Sequence, residues 1–136
     1  MSAVEQVAYG LRRRIRRPYA DAIAAVKDAL KAQGFGVLTE IDVKHTLKTK
    51  LDVDVDPYII LGACNPPLAH RALSAEPEVG MLLPCNVVVR SAGEETIVEA
   101  MDPQAAMGLV QNPAVQAVAH EARQKLQAAL ESLAED

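Results

Sequence analysis

Two Cys-Asn pairs stand where apolar runs meet prolines, in Leu61-Gly62-Ala63-Cys64-Asn65-Pro66-Pro67 and in Leu83-Pro84-Cys85-Asn86-Val87. They hold the only cysteines among 136 residues, so any thiol chemistry runs through Cys64, Cys85 or both. Cys64 is the stronger nucleophile candidate. It ends an apolar run just before a helix that opens near Pro66, and the unpaired N–H groups of a helix start favour a thiolate. The two prolines remove some of those donors and weaken the effect. Asn65 is placed to cap the same helix or to orient a ligand with its amide. His70 lies on the second turn, so a Cys64–His70 pair requires the helix to turn His70 back toward the thiol. Cys85 opens the following strand with Asn86 beside it. If the two strands are neighbours, both thiols meet at one end of a sheet.

The expected pocket is therefore Cys64, Asn65, His70, Cys85 and Asn86. It allows a soft-metal site for Cu(I) or Zn²⁺, a redox dithiol in which Cys64 attacks and Cys85 resolves, or sulfur handling. The competing reading is two small core residues, the common state of a free cysteine. Zinc wants four ligands, and His45, His70 and His120 have ligand spacing to neither cysteine; any metal would rest on Cys64 and Cys85. Asp52, Asp54 and Asp56 alternate with Val53 and Val55 but lack the glycine and terminal Glu of a calcium loop, and read as a solvated approach to a strand. The chain has no glycine-rich phosphate loop, Ser-His-Asp set or His-Glu-x-x-His motif.

The elements that must position these residues are legible from periodicity. Residues 4–16 alternate and read as a strand, with Leu11, Arg13 and Ile15 on one face and Arg12, Arg14 and Arg16 on the other. Tyr19 to Gln33 repeats apolar residues at helical spacing (Ala22, Ile23, Val26, Ala29, Leu30), and Gly34 stands where a helix C-cap wants it. Residues 35–43 alternate as a second strand, and Lys44 to Leu51 suggests one or two helical turns with Leu47 and Leu51 as weak apolar marks. Pro57 to Ala63 is apolar on both parities, as in a strand buried on both faces. Pro66-Pro67 opens a helix that Glu76-Pro77-Glu78 stops. Leu82 to Arg90 and Glu95 to Ala100 read as strands joined by a hairpin at 91–94. Asp102-Pro103 and Asn112-Pro113 are N-cap pairs, the second opening a long helix with the stripe Val115, Val118, Ala122, Leu126, Ala129, Leu130 and Leu133.

One domain spanning 1–136 follows from the length and from the absence of repeats or linkers. The element order specifies an α+β sandwich: a mostly antiparallel five-stranded sheet with helices packed on one face. The other face then needs a cover or must be polar, and a small apolar domain poor in aromatics points to a homodimer. Aromatics are scarce (no Trp, one Phe, three Tyr) and the net charge is −4. Stacking platforms and an overall basic field are both lacking, so no nucleic-acid partner is expected. The arginine run reads as a charged sheet face offset by acids. No stretch approaches the about 20 apolar residues of a membrane span, and the N-terminus lacks a signal pattern. The expectation is a cytoplasmic chain with reduced thiols.

Three segments, Gly34 to Val43, Pro57 to Pro66 and Leu83 to Val89, together resemble domain-of-unknown-function family 302, in an order that runs from about Tyr9 to Leu133. The resemblance implies a single copy of the fold found in each half of the TATA-binding protein, β-α-β(4)-α, usually as a homodimer. It implies neither DNA binding nor a catalytic residue set. The Gly-Asn-Pro element belongs to the wider family, while the two cysteines belong to the branch that this chain resembles. The expectation is thus a homodimeric protein binding a small ligand or soft metal at the Cys-Asn site, with no cofactor assignable. A thiol-dependent enzyme and a purely structural or interaction protein are the alternatives.

Overall fold

The computed structural model describes residues 3–136. Its strands are β1 (Glu5–Val7), β2 (Gly10–Ile15), β3 (Gly36–Asp42), β4 (Tyr58–Cys64), β5 (Cys85–Ala92) and β6 (Glu95–Met101). The helices are α1 (Tyr19–Ala32), α2 (Val43–Leu51), α3 (Pro66–Ala75), α4 (Pro103–Ala106) and α5 (Pro113–Glu131), with a 3₁₀ helix over Pro77–Leu82. The strands form one antiparallel sheet in the order β1-β2-β6-β5-β4-β3. The α+β sandwich expected from the sequence is the observed fold, with a sixth strand added. The alternating run 4–16 is broken by a turn at Ala8-Tyr9, which folds β1 back on β2 with Val7 opposite Gly10.

Strand alternation gives the sheet two unlike faces. One is apolar: Leu11, Ile15, Ile59, Leu61, Ala63, Val87, Val89, Val98 and Ala100 are buried there against Ala22, Val26 and Leu30 of α1 and Leu126, Ala129 and Leu130 of α5. A second cluster joins α3, the 3₁₀ helix, α4 and α5 through Leu68, Ala72, Val79, Met107, Val115, Val118, Ala119 and Ala122. Arg13 shares the apolar parity and is buried. Its guanidinium donates to the carbonyls of Leu133 at 2.8 Å and of Leu130 and Glu131 at 3.4 Å each. The end of a helix leaves carbonyls unpaired and carries partial negative charge, so a cation is stabilised there.

α2 touches β3 and β4 without burying any of its own residues, and neither α1 nor α5 covers the opposite face. Its rows, read across the strands, are Arg14–Ile97–Arg90–Tyr58 and Arg12–Glu99–Val88–Ile60–Ile41, with Gly10–Met101 and Asn86–Gly62–Thr39 beyond. The arginine strip is therefore neutralised by acids. Arg12 and Arg90 share the Glu99 carboxylate at 2.8 Å, and Arg14 lies 3.3 Å from Glu5. Burial would raise the Glu99 carboxyl, but hydrogen bonds from Arg90 and Arg12 outweigh it and hold the group below its usual range. The doubly apolar run of β4 is buried mainly on one parity: Ile59, Leu61 and Ala63 are covered, while on the other Tyr58 and Ile60 are half-exposed and Gly62 is buried beneath Thr39 and Pro84. Apolar residues there answer to a surface rather than to a second layer of helices.

Candidate functional site

Cys64 and Cys85 come from neighbouring antiparallel strands, in which Ala63 pairs with Cys85 and Cys64 pairs with Gly36. Side chains alternate along a strand, so Cys85 takes the helix-side parity of Ala63 and packs on the main core, whereas Cys64 has the other parity at the strand's end. Both nevertheless contribute to the wall of one cavity of about 30 Å³. The rest of its wall includes Phe35, Leu68, Leu83, Met107 and Val118. That is the space of about one water, and an apolar wall gives a water too few partners to hold it.

Burial pushes the Cys85 thiol up to about 11, and the neighbouring Cys64 adds to the rise because a second thiolate so near is opposed. At neutral pH Cys85 is a neutral SH group in an apolar setting. Both cysteines are free and only partly exposed.

Asn65 is buried and its side chain is occupied on both sides. Its Oδ1 accepts from Leu68 N at 3.4 Å, capping α3, and its Nδ2 donates to the Gln33 carbonyl at 3.2 Å. The first contact secures the start of α3, and the second ties it to the end of α1. Gly34 has φ +85, and a Cβ there would stand 3.0 Å from Asn65 Nδ2, so the close approach of the two turns depends on the glycine. The amide is a structural clamp.

The remaining expected members do not join the cavity wall. His70 is exposed on α3, while Asn86 is exposed and lines a groove on the uncovered sheet face instead. The reasons are periodicity and parity. His70 follows Leu68 by two residues on a helix, which turns it away from the face that Leu68 buries, and Asn86 follows Cys85 by one residue on a strand. His45 and His120 are exposed on α2 and α5. Among the described residues, no group of three or more His, Cys, Asp or Glu could hold a metal ion. The acidic run is likewise unspecialised: Asp52 ends α2 at φ 53, and Lys48 bridges Asp52 at 2.9 Å and Asp54 at 3.4 Å.

A feature that motif reading passed over is the groove on the uncovered face. It has a volume of about 660 Å³, a floor that includes Val88 and Met101, and walls from Tyr9, Met81 and Leu82. Met81 is 85 % exposed and Tyr9 69 %. Gly62 lets its edge close: a Cβ there would overlap Thr39 Oγ1 and stand 3.0 Å from Pro84 Cγ. The Leu83–Pro84 peptide at this edge is cis. Exposed apolar side chains also occur on the edge strand β3 and around the end of α2, with Leu38 68 % and Leu51 66 % exposed and Ile41 and Val53 close behind. The weak Leu47/Leu51 periodicity of α2 was the signal in the sequence that could have pointed there.

Comparison with known proteins places the fold in a recognised group. The family model described as domain of unknown function DUF302 matches residues 11–133. The crystal structure of an uncharacterized conserved protein DUF302 from Bacillus stearothermophilus is similar over 91 % of this chain and 97 % of that one, with 30 % sequence identity and a TM-score of 0.84. No curated protein matches.

Proposed function

The chain belongs to the DUF302 family, and from that premise we propose that it is a small homodimeric binding protein of the cytoplasm whose working surface is the uncovered face of its sheet. The observation that carries this reading is the apolar surface left without cover. Ile41, Ile60, Val88 and Met101 lie on this face, Tyr9, Met81 and Leu82 line its groove, and Leu38, Leu51 and Val53 are exposed elsewhere on β3, α2 and the loop after it. Exposed apolar side chains gathered along one groove, with charged residues beside them, mark an interaction site. The cytoplasmic assignment rests on two unpaired thiols and on a fold in which, among the described residues, no helix is long and apolar enough to cross a membrane.

Sedimentation equilibrium over a wide concentration range tests this. A dimer that dissociates on Val88→Glu, with the helical circular dichroism retained, is the expected result. A monomer throughout overturns the reading.

The Cys64–Asn65–Cys85 site supports a second reading, carried by the one cavity that both cysteines help to wall. Its size and apolar lining suit a very small uncharged ligand, or a soft ion such as Cu(I) that displaces the thiol protons. Native mass spectrometry after Cu(I) loading would show one bound ion per chain, lost in Cys85→Ser. A chain that stays metal-free leaves the cysteines as core residues. A nucleophilic role is the least supported of the three, because the Cys85 thiol stays protonated and His70 lies outside the cavity wall.

A further inference from the structure

We propose that Met107 completes a three-sulfur Cu(I) site with Cys64 and Cys85. This rests on the copper reading of the cysteine cavity and names the ligand that finishes it. All three side chains help to wall the one cavity of about 30 Å³. They reach it from three elements: Cys64 from the end of β4, Cys85 from the start of β5 and Met107 from the C-cap of α4. An object that fills a space of about one water lies close to every part of the wall, so one ion there has three sulfur-bearing neighbours. Of Met81, Met101 and Met107, only the last is buried. Counted over His, Cys, Asp and Glu the donors stop at two, and the thioether brings the set to three.

Donor type and cavity size select the ion. Thiolate and thioether sulfurs are soft donors that favour Cu(I). Zn²⁺ wants four ligands and Ca²⁺ a shell of oxygens, and the wall offers neither. Apart from the thiols, Asn65 is the one polar side chain of the wall among the described residues, and both ends of its amide are engaged. A space of one water has no room for an ion that keeps its hydration shell, as Mg²⁺ does. A bare soft ion fits. Cu(I) bonds to both thiol sulfurs as their two protons leave to solvent, and to the thioether, which has no proton to lose. The complex then carries one net negative charge, beside the start of α3, whose partial positive end stabilises it. Met107 is held in place before any ion arrives. Its carbonyl accepts from Gln116 Nε2 at 2.9 Å, and its N–H donates to the Pro103 carbonyl at 2.9 Å. Asp102 fixes the start of α4, accepting from Gln104 N at 2.9 Å and from Arg123 Nε at 3.1 Å. A donor carried on so tethered a turn is pre-organised for its ion.

The test uses the full chain grown with selenomethionine, loaded with Cu(I) under reducing conditions and read by copper-edge X-ray absorption. One selenium neighbour beside two sulfurs is expected. The signal should vanish in Met107→Leu, a swap that nearly conserves volume and keeps the fold, with circular dichroism as the check. In the unlabelled protein, Met107→Leu should weaken Cu(I) binding about tenfold or more in competition with a chromophoric chelator, because losing even an outer-shell partner costs that much. Selenium that persists in Met107→Leu belongs to another methionine and overturns the proposal. Copper held by two sulfurs with no selenium, at an affinity that Met107→Leu leaves unchanged, overturns the thioether ligand while the cysteine reading stands. A chain that takes up no copper overturns both.

Discussion

The Cys85 thiol is the sharpest point at which the structure decides between chemistry and packing. Burial among apolar neighbours moves it from an ordinary value of 9.0 to about 11. Those two pH units leave about a hundredfold less thiolate at neutral pH than an unperturbed thiol has. The assay is pH-dependent alkylation of the native protein by iodoacetamide, followed by peptide mass spectrometry of the Cys85 peptide. Its labelling rate should still be climbing at pH 10. The same shift makes a stability prediction. Below pH 9 the folded and unfolded chains both hold the thiol proton, and Cys85 adds no pH dependence. Between pH 9 and pH 11 the unfolded chain releases its proton while the folded chain keeps it, so stability falls. The loss levels off at no more than about 3 kcal/mol above pH 11. Lysines and tyrosines titrate in the same window, so the quantity to measure is the difference in urea stability between the native protein and Cys85→Ser at each pH. A native Cys85 with a labelling midpoint near 9, or a Cys85→Ser variant with an unchanged pH slope, would refute the burial argument and reopen the nucleophile reading.

Other outcomes follow from contacts that hold the fold. Asn65→Ala removes both the α3 cap and the bond to Gln33, and should cost about 1–2 kcal/mol in urea unfolding; no change would mean the cap carries no weight. Arg13→Met strips the bonds to the end of α5, and should destabilise by about 2–3 kcal/mol, chiefly through the short bond to Leu133. Hydrogen exchange should quicken first in the last turn of α5, and uniform exchange across the domain would count against this. Gly62→Ala drives a Cβ into Thr39 Oγ1 and should cost about 1–3 kcal/mol. Thr39→Ala in the same chain should recover part of it, and a fully additive loss would show that Thr39 is not the obstacle. His70→Ala, exposed on α3, should leave stability and any Cu(I) binding unchanged.

The helices announced themselves through spacing and caps. Asn65, Asp102 and Asn112 each accept from a backbone N–H of the helix they open, as expected for Asn or Asp ahead of proline. The stripe from Val115 to Leu130 is the buried side of α5. The hairpin joining β5 to β6 turns at Gly93, whose φ of +65 suits glycine. Alternation separated Arg13 from Arg12 and Arg14, but nothing local said that Arg13 would end inside the protein. Its partners lie at the far end of the chain, and only the packing of α5 on β2 brings those carbonyls within reach. The β1–β2 turn was hidden because Ala8-Tyr9 lacks the usual turn residues, and the alternation carries on through it.

The candidate site divides along the same line. That Cys64 and Cys85 approach one end of a sheet follows from strand order, which periodicity reveals. Whether two thiols on neighbouring strands meet depends on register, and a shift of one residue exchanges the faces. The observed pairing of Cys85 with Ala63 sends Cys85 into the core and Asn86 to the opposite face. Helical phase likewise turned His70 outward. The sequence by itself determined most of the elements, the β1–β2 turn apart, together with their order and the residues able to do chemistry, because these depend on short-range periodicity and backbone preference. Only the tertiary structure decided which of those residues share a cavity, which thiol stays protonated and which apolar face lies uncovered, because each depends on strand register and on contacts between distant segments.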